Sequence, residues 1–382
     1  METSNIRLGD CVTCNPSVKL EKGKECPVID IDKITVGRKF VENKDTVIYN
    51  GQGGAKFENG DTLMARITPC LENGKMAQAR IDGKGIGSTE LFVFRGKEGI
   101  TDNEFVYYLF KQQHIRDLAA NSMSGASGRQ RADLKFIKKI KLDLPTLPTQ
   151  RRIASILSAY DNLIENNNKR IRLLEQMAEN LYKEWFVRFR FPGHEKVEME
   201  NGLPKGWKVE KVQDWCRVFT GKKDVNQTVP NGKYAFFSCS PDTFKSNDYI
   251  YDGKAILVAG NGSYTGRTRY FEGKFDLYQR TYAVVSKNED SEFLYYLYTR
   301  FKFDFEKIYS GGTRGSAIPY IVMRDLTRYR FLYEKNVVKK YTSIIRPLFR
   351  QIDILNEEII TLSRQRALLL PRLMSGKLEV KE

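Results

Sequence analysis

Arginine, lysine, asparagine, serine and threonine on glycine-rich turns are side chains that can grip a polyanion. Their guanidinium, ammonium, amide and hydroxyl groups meet phosphate oxygens or base edges, and glycine lets the backbone come close. This 382-residue chain carries such stretches in both halves. In the first half they are Arg66-Ile67-Thr68, Asn73-Gly74-Lys75 and Ser124-Gly125-Ala126-Ser127-Gly128-Arg129-Gln130-Arg131. In the second they are Asn261-Gly262-Ser263-Tyr264-Thr265-Gly266-Arg267-Thr268-Arg269 and Gly311-Gly312-Thr313-Arg314-Gly315-Ser316. The candidate contact residues are therefore Arg66, Thr68, Asn73, Lys75, Ser124, Gly125, Ser127, Arg129 and Arg131, then Asn261, Ser263, Tyr264, Arg267, Arg269, Gly312, Thr313, Arg314 and Ser316. Taken singly, each is equally well a solvated turn. The Ser-Gly stretch is the strongest candidate, because it recurs in both halves and carries arginine both times.

Side chains that could break or form covalent bonds are poorly represented. Asn15-Pro16-Ser17-Val18 begins like the D/N/S-P-P-aromatic motif of adenine methyltransferases but lacks the second proline and the ring, and Ser240-Pro241-Asp242 departs from it too. Residues 262–268 are too short for a phosphate-binding P-loop and carry Arg267 where that loop needs lysine. Pro241-Asp242 followed by Asp252-Gly253-Lys254 or Glu272-Gly273-Lys274 mimics a PD-(D/E)xK nuclease. An acid two places before lysine is common by chance in so charged a chain, and the first half has no equivalent with a leading Pro-Asp. His114 and His194 are the only histidines, which leaves little for general-base chemistry. Cys11 and Cys14 form a lone C-x-x-C; a zinc site completed by Cys26 and a histidine is a weaker reading than free thiols. No catalytic, cofactor-binding or metal-ligating residue is expected.

The charge balance points the same way. Sixty-three Lys and Arg face 47 Asp and Glu, a net +16 spread over the chain rather than gathered in one tail. That suits a protein lying along a polyanion, although a solvated surface can also carry it. At 41% hydrophobic the chain can bury cores, and no run approaches the 18 apolar residues of a membrane helix. METSNIRLGD lacks the apolar core of a signal peptide, so a cytoplasmic location is expected.

The elements that must position these residues are written twice. Glu104-Phe105-Val106-Tyr107-Tyr108-Leu109-Phe110 returns as Glu292-Phe293-Leu294-Tyr295-Tyr296-Leu297-Tyr298, 188 positions on. Residues 60–64, 91–97, 124–128 and 151–157 are echoed at 253–257, 281–287, 310–315 and 339–345. The chain reads as one half written twice, an internal pseudo-dimer. Residues 91–94 and 282–285 look like strands. The repeated Glu-Phe stretches look like short helices capped by Asp102 or Asn103 and by Asp290 or Ser291, with their tyrosines facing the core. Residues 1–55 show little likeness to 194–250.

Each half ends in a helix with a heptad seam. Steps of four and three from Ile153 give Leu157, Tyr160, Ile164, Asn167, Ile171, Leu174, Ala178, Leu181 and Trp185. The same steps from Tyr341 give Ile345, Leu348, Ile352, Leu355, Ile359, Leu362, Arg366, Leu369 and Leu373. One polar residue interrupts each seam, and the flanks are strongly polar, so each stripe needs a long partner helix. Asn167 is suited to setting the register. The first helix is expected between Pro148 and Pro192, and Pro347 either begins or kinks a segment of the second. The expected organisation is an α/β (α+β) domain at 1–148, a helix at 149–191, a second such domain at 192–335 and a helix at 336–382. The two helices pair as an antiparallel coiled coil.

Leu147-Pro148-Thr149-Gln150-Arg151-Arg152-Ile153-Ala154-Ser155-Ile156-Leu157, leading to Leu173-Leu174-Glu175-Gln176, strongly resembles the central region of the specificity (S) subunits of type I restriction–modification systems. Residues 368–378 resemble that family's C-terminal ending, and the layout matches over the full chain. The resemblance implies two target recognition domains that each read one part of a split double-stranded DNA site. It implies paired helices that set the gap and hold two modification subunits, and a place for restriction subunits. It implies a non-catalytic subunit without a cofactor of its own, S-adenosylmethionine, ATP and Mg belonging to its partners. The alternatives are a stand-alone DNA-modifying enzyme with diverged motifs and a coiled-coil adaptor that binds only protein.

Overall fold

The computed structural model describes residues 2–41, 45–125, 129–288, 290–310 and 319–379. The chain divides into two compact units, Met1–Arg170 with Ile354–Glu382, and Ile171–Asp353. Each long helix is therefore shared: its start belongs to one unit and its end to the other.

The first unit is built on a five-stranded sheet of β1 (Val12–Cys14), β2 (Phe40–Val41), β3 (Thr62–Ala65), β4 (Met76–Ala79) and β5 (Leu91–Gly96), in the order β1-β5-β3-β4-β2. All neighbours are antiparallel except β2 and β4, which run parallel. A second sheet, formed by residues 25–29, 46–48, 55–58 and 84–87, extends the β3–β4 hairpin. Helix α1 (Asn103–Lys111) packs on the main sheet, and Phe94 stacks on Phe110 with centroids 3.9 Å apart. Asp102 caps it by accepting from the Phe105 amide. Tyr107 and Tyr108 are fully buried, as their place in the repeat predicts.

Helix α2 (Leu147–Tyr182) begins two residues before the expected start and holds Pro148 in its first turn, where no amide partner is lost. It passes into a wider π turn at Lys183–Val187, so regular helix ends well before Pro192. In the first unit its start packs antiparallel to the end of helix α4 (Lys335–Met374). Ile153 and Leu157 share a core with Leu370, Leu373 and Met374. The two polar seam residues both reach across. Asn167 donates to Glu358 at 2.8 Å, and Arg366 pairs with the fully buried Asp161. The Tyr108 hydroxyl donates to the same Asp161 at 2.6 Å.

The second unit repeats this plan. Its sheet contains β6 (Cys216–Thr220), β7 (Tyr234–Phe237), β8 (Thr243–Ser246), β9 (Tyr251–Ala259), β10 (Thr268–Leu277) and β11 (Thr281–Ser286), in the order β6-β11-β9-β10-β7-β8. Again one pair, β7 and β10, is parallel. Helix α3 (Ser291–Arg300) is capped by Asp290, as α1 is by Asp102. Trp185 and Phe186, from the π turn after α2, pack on Tyr341 of α4 with centroids 5.7 and 4.9 Å apart. Helix α4 runs unbroken through the exposed Pro347. Every seam position named above is buried or half-buried.

The likeness extends into the N-terminal segments, where sequence comparison showed little. Residues 3–7 pair with 141–145, and 208–211 with 330–333. The Leu8 amide donates to Ile140 and the Val212 amide to Tyr329. The repeated Lys97 and Lys287 also find their reason: each ammonium donates to a carbonyl of the neighbouring short turn, Gly9 at 2.9 Å and Gln213 at 2.7 Å. The offset here is about 204 rather than 190, because the first half has a longer chain between β1 and β3, where residues 25–27 pair with 46–48.

A half-buried cation lies beneath the first unit's helices. Lys111 donates to the Tyr107 hydroxyl at 2.9 Å, and burial, then the Arg366 charge, pushes its ammonium down to about 7. Below pH 7 both folded and unfolded chains hold this proton, and folding carries the full desolvation cost. Between pH 7 and about 10.4 the unfolded chain holds it and the folded chain does not, so the cost fades as pH rises. Lys111→Met is therefore expected to stabilise the protein, on the order of 2 kcal/mol at pH 6 and far less at pH 10. Urea midpoints at both pH values check this.

Among the described residues no helix is long and apolar enough to cross a membrane, no cluster of His, Cys, Asp or Glu could hold a metal ion, and the six cysteines are free.

Candidate nucleic-acid interface

In the first unit the candidates converge on one end of the sheet. Residues 66–75 link β3 to β4, and the Ser-Gly loop lies against that link. The Thr68 amide donates to Gln130 at 3.0 Å, Ala132 to Arg66 at 2.8 Å, and Ser124 and Arg131 exchange backbone bonds at 3.1 and 3.0 Å. Gly74 has a φ of +71°, a left-handed conformation that favours glycine. Arg66, Thr68, Asn73, Lys75, Ser124, Gly125, Arg129 and Arg131 are thus gathered, with Asn73, Ser124 and Arg129 exposed. Ser127 lies outside the described residues.

The electrostatics separate the arginines. Glu90, at the foot of β5, accepts from Arg131 Nε at 2.9 Å and from Nη2 at 2.5 Å. Arg66 Nε lies 3.7 Å from the same carboxylate, and its guanidinium sits 5.3 Å from the centre of the Phe92 ring. The Arg131 hydrogen bond, above the other charges, holds the Glu90 carboxyl below the usual carboxylate range. Two guanidiniums on one carboxylate leave the face cationic.

The second unit builds the same place from different residues. Residues 260–267 link β9 to β10, and residues 319–321 lie against that link: Gly262 donates to Pro319 at 3.1 Å and Ile321 to Gly260 at 2.9 Å. The buried Thr265 hydroxyl is within reach of Gly262 and Pro319 carbonyls at 2.7 and 2.9 Å. Ser263 and Tyr264 are exposed at the tip, with the Arg267 guanidinium 6.0 Å from the Tyr264 ring centre. Asn261 accepts from Cys239 Sγ at 3.2 Å. Arg269 turns inward and donates to Thr243 Oγ1 at 2.8 Å and the Pro241 carbonyl at 2.6 Å. Burial, then Arg267, lowers its affinity for its proton. Gly312, Thr313, Arg314 and Ser316 lie outside the described residues.

Sequence reasoning missed Glu90, Arg116, Cys239 and Tyr320. A signal for Glu90 existed. It immediately precedes the repeated strand, and the aligned residue of the second half is Arg280, a reversal of charge.

The arrangement can present cations, amides and hydroxyls on two rigid frames; among the described residues it assembles no nucleophile with a base. A family model described as the type I restriction modification DNA specificity domain matches residues 4–176 and again 204–364. A type I restriction enzyme specificity subunit of Methanocaldococcus jannaschii, MjaIX, is 28% identical over 312 residues, 75% of this chain and 71% of that protein. The EcoDI specificity subunit of Escherichia coli is 38% identical over 125 residues, 33% of this chain and 27% of that one. In fold, the chain is similar to the crystal structure of a type I restriction–modification S subunit from M. genitalium, with a TM-score of 0.64, 17% identity, and 97% and 96% of the two chains covered. With that domain matched twice and most of its length accounted for, this chain belongs to the type I restriction–modification DNA specificity family.

Proposed function

We propose that the two units each read one part of a bipartite double-stranded DNA site, and that the chain places two modification subunits, with restriction subunits beside them, on that site. The observation that carries this is the hairpin link braced by a second loop, present in both units on five strands of the same order but bearing different side chains. A shared frame with unlike tips is what two independent readers of different sequence need. The chain supplies no cofactor chemistry; S-adenosylmethionine, ATP and Mg belong to the partner subunits, and the complex works in the cytoplasm. Exposed apolar residues on the long helices support protein partners there: Leu163, Ile360 and Leu368 in the first unit, Leu173, Met177 and Ile344 in the second.

Two substitutions test the reading in the assembled complex. Arg129→Ala and Arg267→Ala each remove a cation from one tip. If the side chain meets a base edge, its removal costs about 1–3 kcal/mol and relaxes specificity at one position. If it meets a phosphate, its removal weakens all sequences alike and flattens the salt dependence. DNA affinity unchanged in both variants, at several salt concentrations, would remove the tips from the interface. Replacing residues 192–335 by those of a related subunit is expected to change one half of the methylated motif and leave the other.

A further inference from the structure

We propose that the first unit reads a guanine through Arg131, and that Glu90 is the positioning residue that holds this guanidinium for it. The inference rests on the DNA-reading role above and goes on to name a base and a pair of residues. A guanidinium has two flat edges that can each make paired hydrogen bonds. Glu90 occupies one of them, taking Nε and Nη2 of Arg131 together. The other edge, Nη1 with the outward hydrogen of Nη2, is held in place rather than used: among the described residues its one protein contact is a long approach of Nη1 to the Arg129 carbonyl at 3.5 Å. The Arg131 side chain is 41% exposed, so that edge is open to a ligand.

Guanine offers two acceptors, O6 and N7, on its major-groove edge. Adenine offers one acceptor and one donor, and the donor would face a donor here. A free arginine must lose side-chain entropy to make this fork, whereas one fixed by a carboxylate has already lost it. Arg66 is a poorer reader. It lies over Phe92, and its Nε is buried without a hydrogen-bond partner. Its role is to help keep Glu90 ionised from the other side. The device belongs to the first unit only, because the second has Arg280 in place of Glu90 and Tyr320 in place of Arg131 on the paired loop.

The test uses the complex assembled with its modification subunits. The motif is read by sequencing methylated adenines in host DNA, and competition binding then uses duplexes changed at one base pair. Arg131→Ala is expected to make one G·C pair of one half-site degenerate, lowering the preference for it roughly 5- to 150-fold. Glu90→Gln should relax the same position, and Glu90→Asp, which keeps the charge, should retain more of the preference. The other half-site stays unchanged in all three. A merely structural Glu90 would lower the melting temperature without moving base preference, and that result overturns its positioning role. Degeneracy at an A·T pair, or in the other half-site, overturns the guanine assignment. If Arg131→Ala leaves the motif intact while Arg129→Ala alters affinity, the inference fails and the DNA-reading role survives. If Lys75, Arg129 and Arg131 are all replaced without effect on motif or affinity, the role of this face fails with it.

Discussion

Asp161→Ala is expected to destabilise the protein by about 3–5 kcal/mol, the cost of breaking a buried ion pair from one side. Asp161 is fully buried and takes both the Arg366 guanidinium and the Tyr108 hydroxyl. Removing its carboxylate strands a guanidinium in a seam whose other residues in this unit, apart from Asn167, are Leu, Ile and Tyr. Arg366 then keeps one further bond, to the Gly37 carbonyl at 3.2 Å. The second unit shows that this place does not demand charge. The residues 188 positions from Asp161 and Arg366 are Phe349 and Ala178, and both are buried in an apolar core. Adding Arg366→Ala to Asp161→Ala should therefore recover part of the loss, because the uncompensated charge goes with it. Urea unfolding of the two single variants and the double variant gives the coupling. Additive losses, with no coupling, would mean the two residues contribute as independent contacts.

A two-residue insertion after Asn168 should abolish the helix pairing, whereas a four-residue insertion should leave a folded protein. Two residues turn everything downstream by about 200°, four by about 400°, close to one full turn. After the shorter insertion the seam places of Ile171, Leu174, Ala178, Leu181 and Trp185 receive Lys169, Arg172, Gln176, Glu179 and Lys183. Each large apolar residue expelled forfeits about 1.5–3 kcal/mol, so the sum consumes most of a typical domain's 5–15 kcal/mol. After the longer insertion the last four places receive Arg170, Leu174, Met177 and Leu181, three of them apolar. Size-exclusion chromatography and limited proteolysis separate the outcomes. If the helices also act as a ruler on DNA, the four-residue insertion adds about 6 Å and should widen the gap in the methylated motif by one or two base pairs. An unchanged gap in an active variant would leave the helices as a dock alone.

The duplication, the seam and the family were all legible in the order of residues along the chain. Those features live in local order: a heptad stripe shows in spacing, an N-cap in one residue such as Asp102 or Asp290, and a buried tyrosine pair in its repeated apolar neighbours. The specificity-subunit resemblance rests on contiguous stretches, and the comparisons with known proteins agree with it. Which pieces make a unit depends on contacts between distant parts of the chain. The first unit is completed by residues from 354 onward because a helix from the other half must cover its seam, a contact about 200 positions away in the chain. The match of β1 to β6 stayed hidden because the longer chain between β1 and β3 shifts the offset and little identity remains. Glu90 was legible only as a charge before a strand. Its value comes from two guanidiniums brought to it by separate loops, and no spacing rule places Arg66 and Arg131 on one carboxylate. The same holds for Arg269, which the sequence offers as a free cation and the fold half-buries and ties to Thr243 and Pro241.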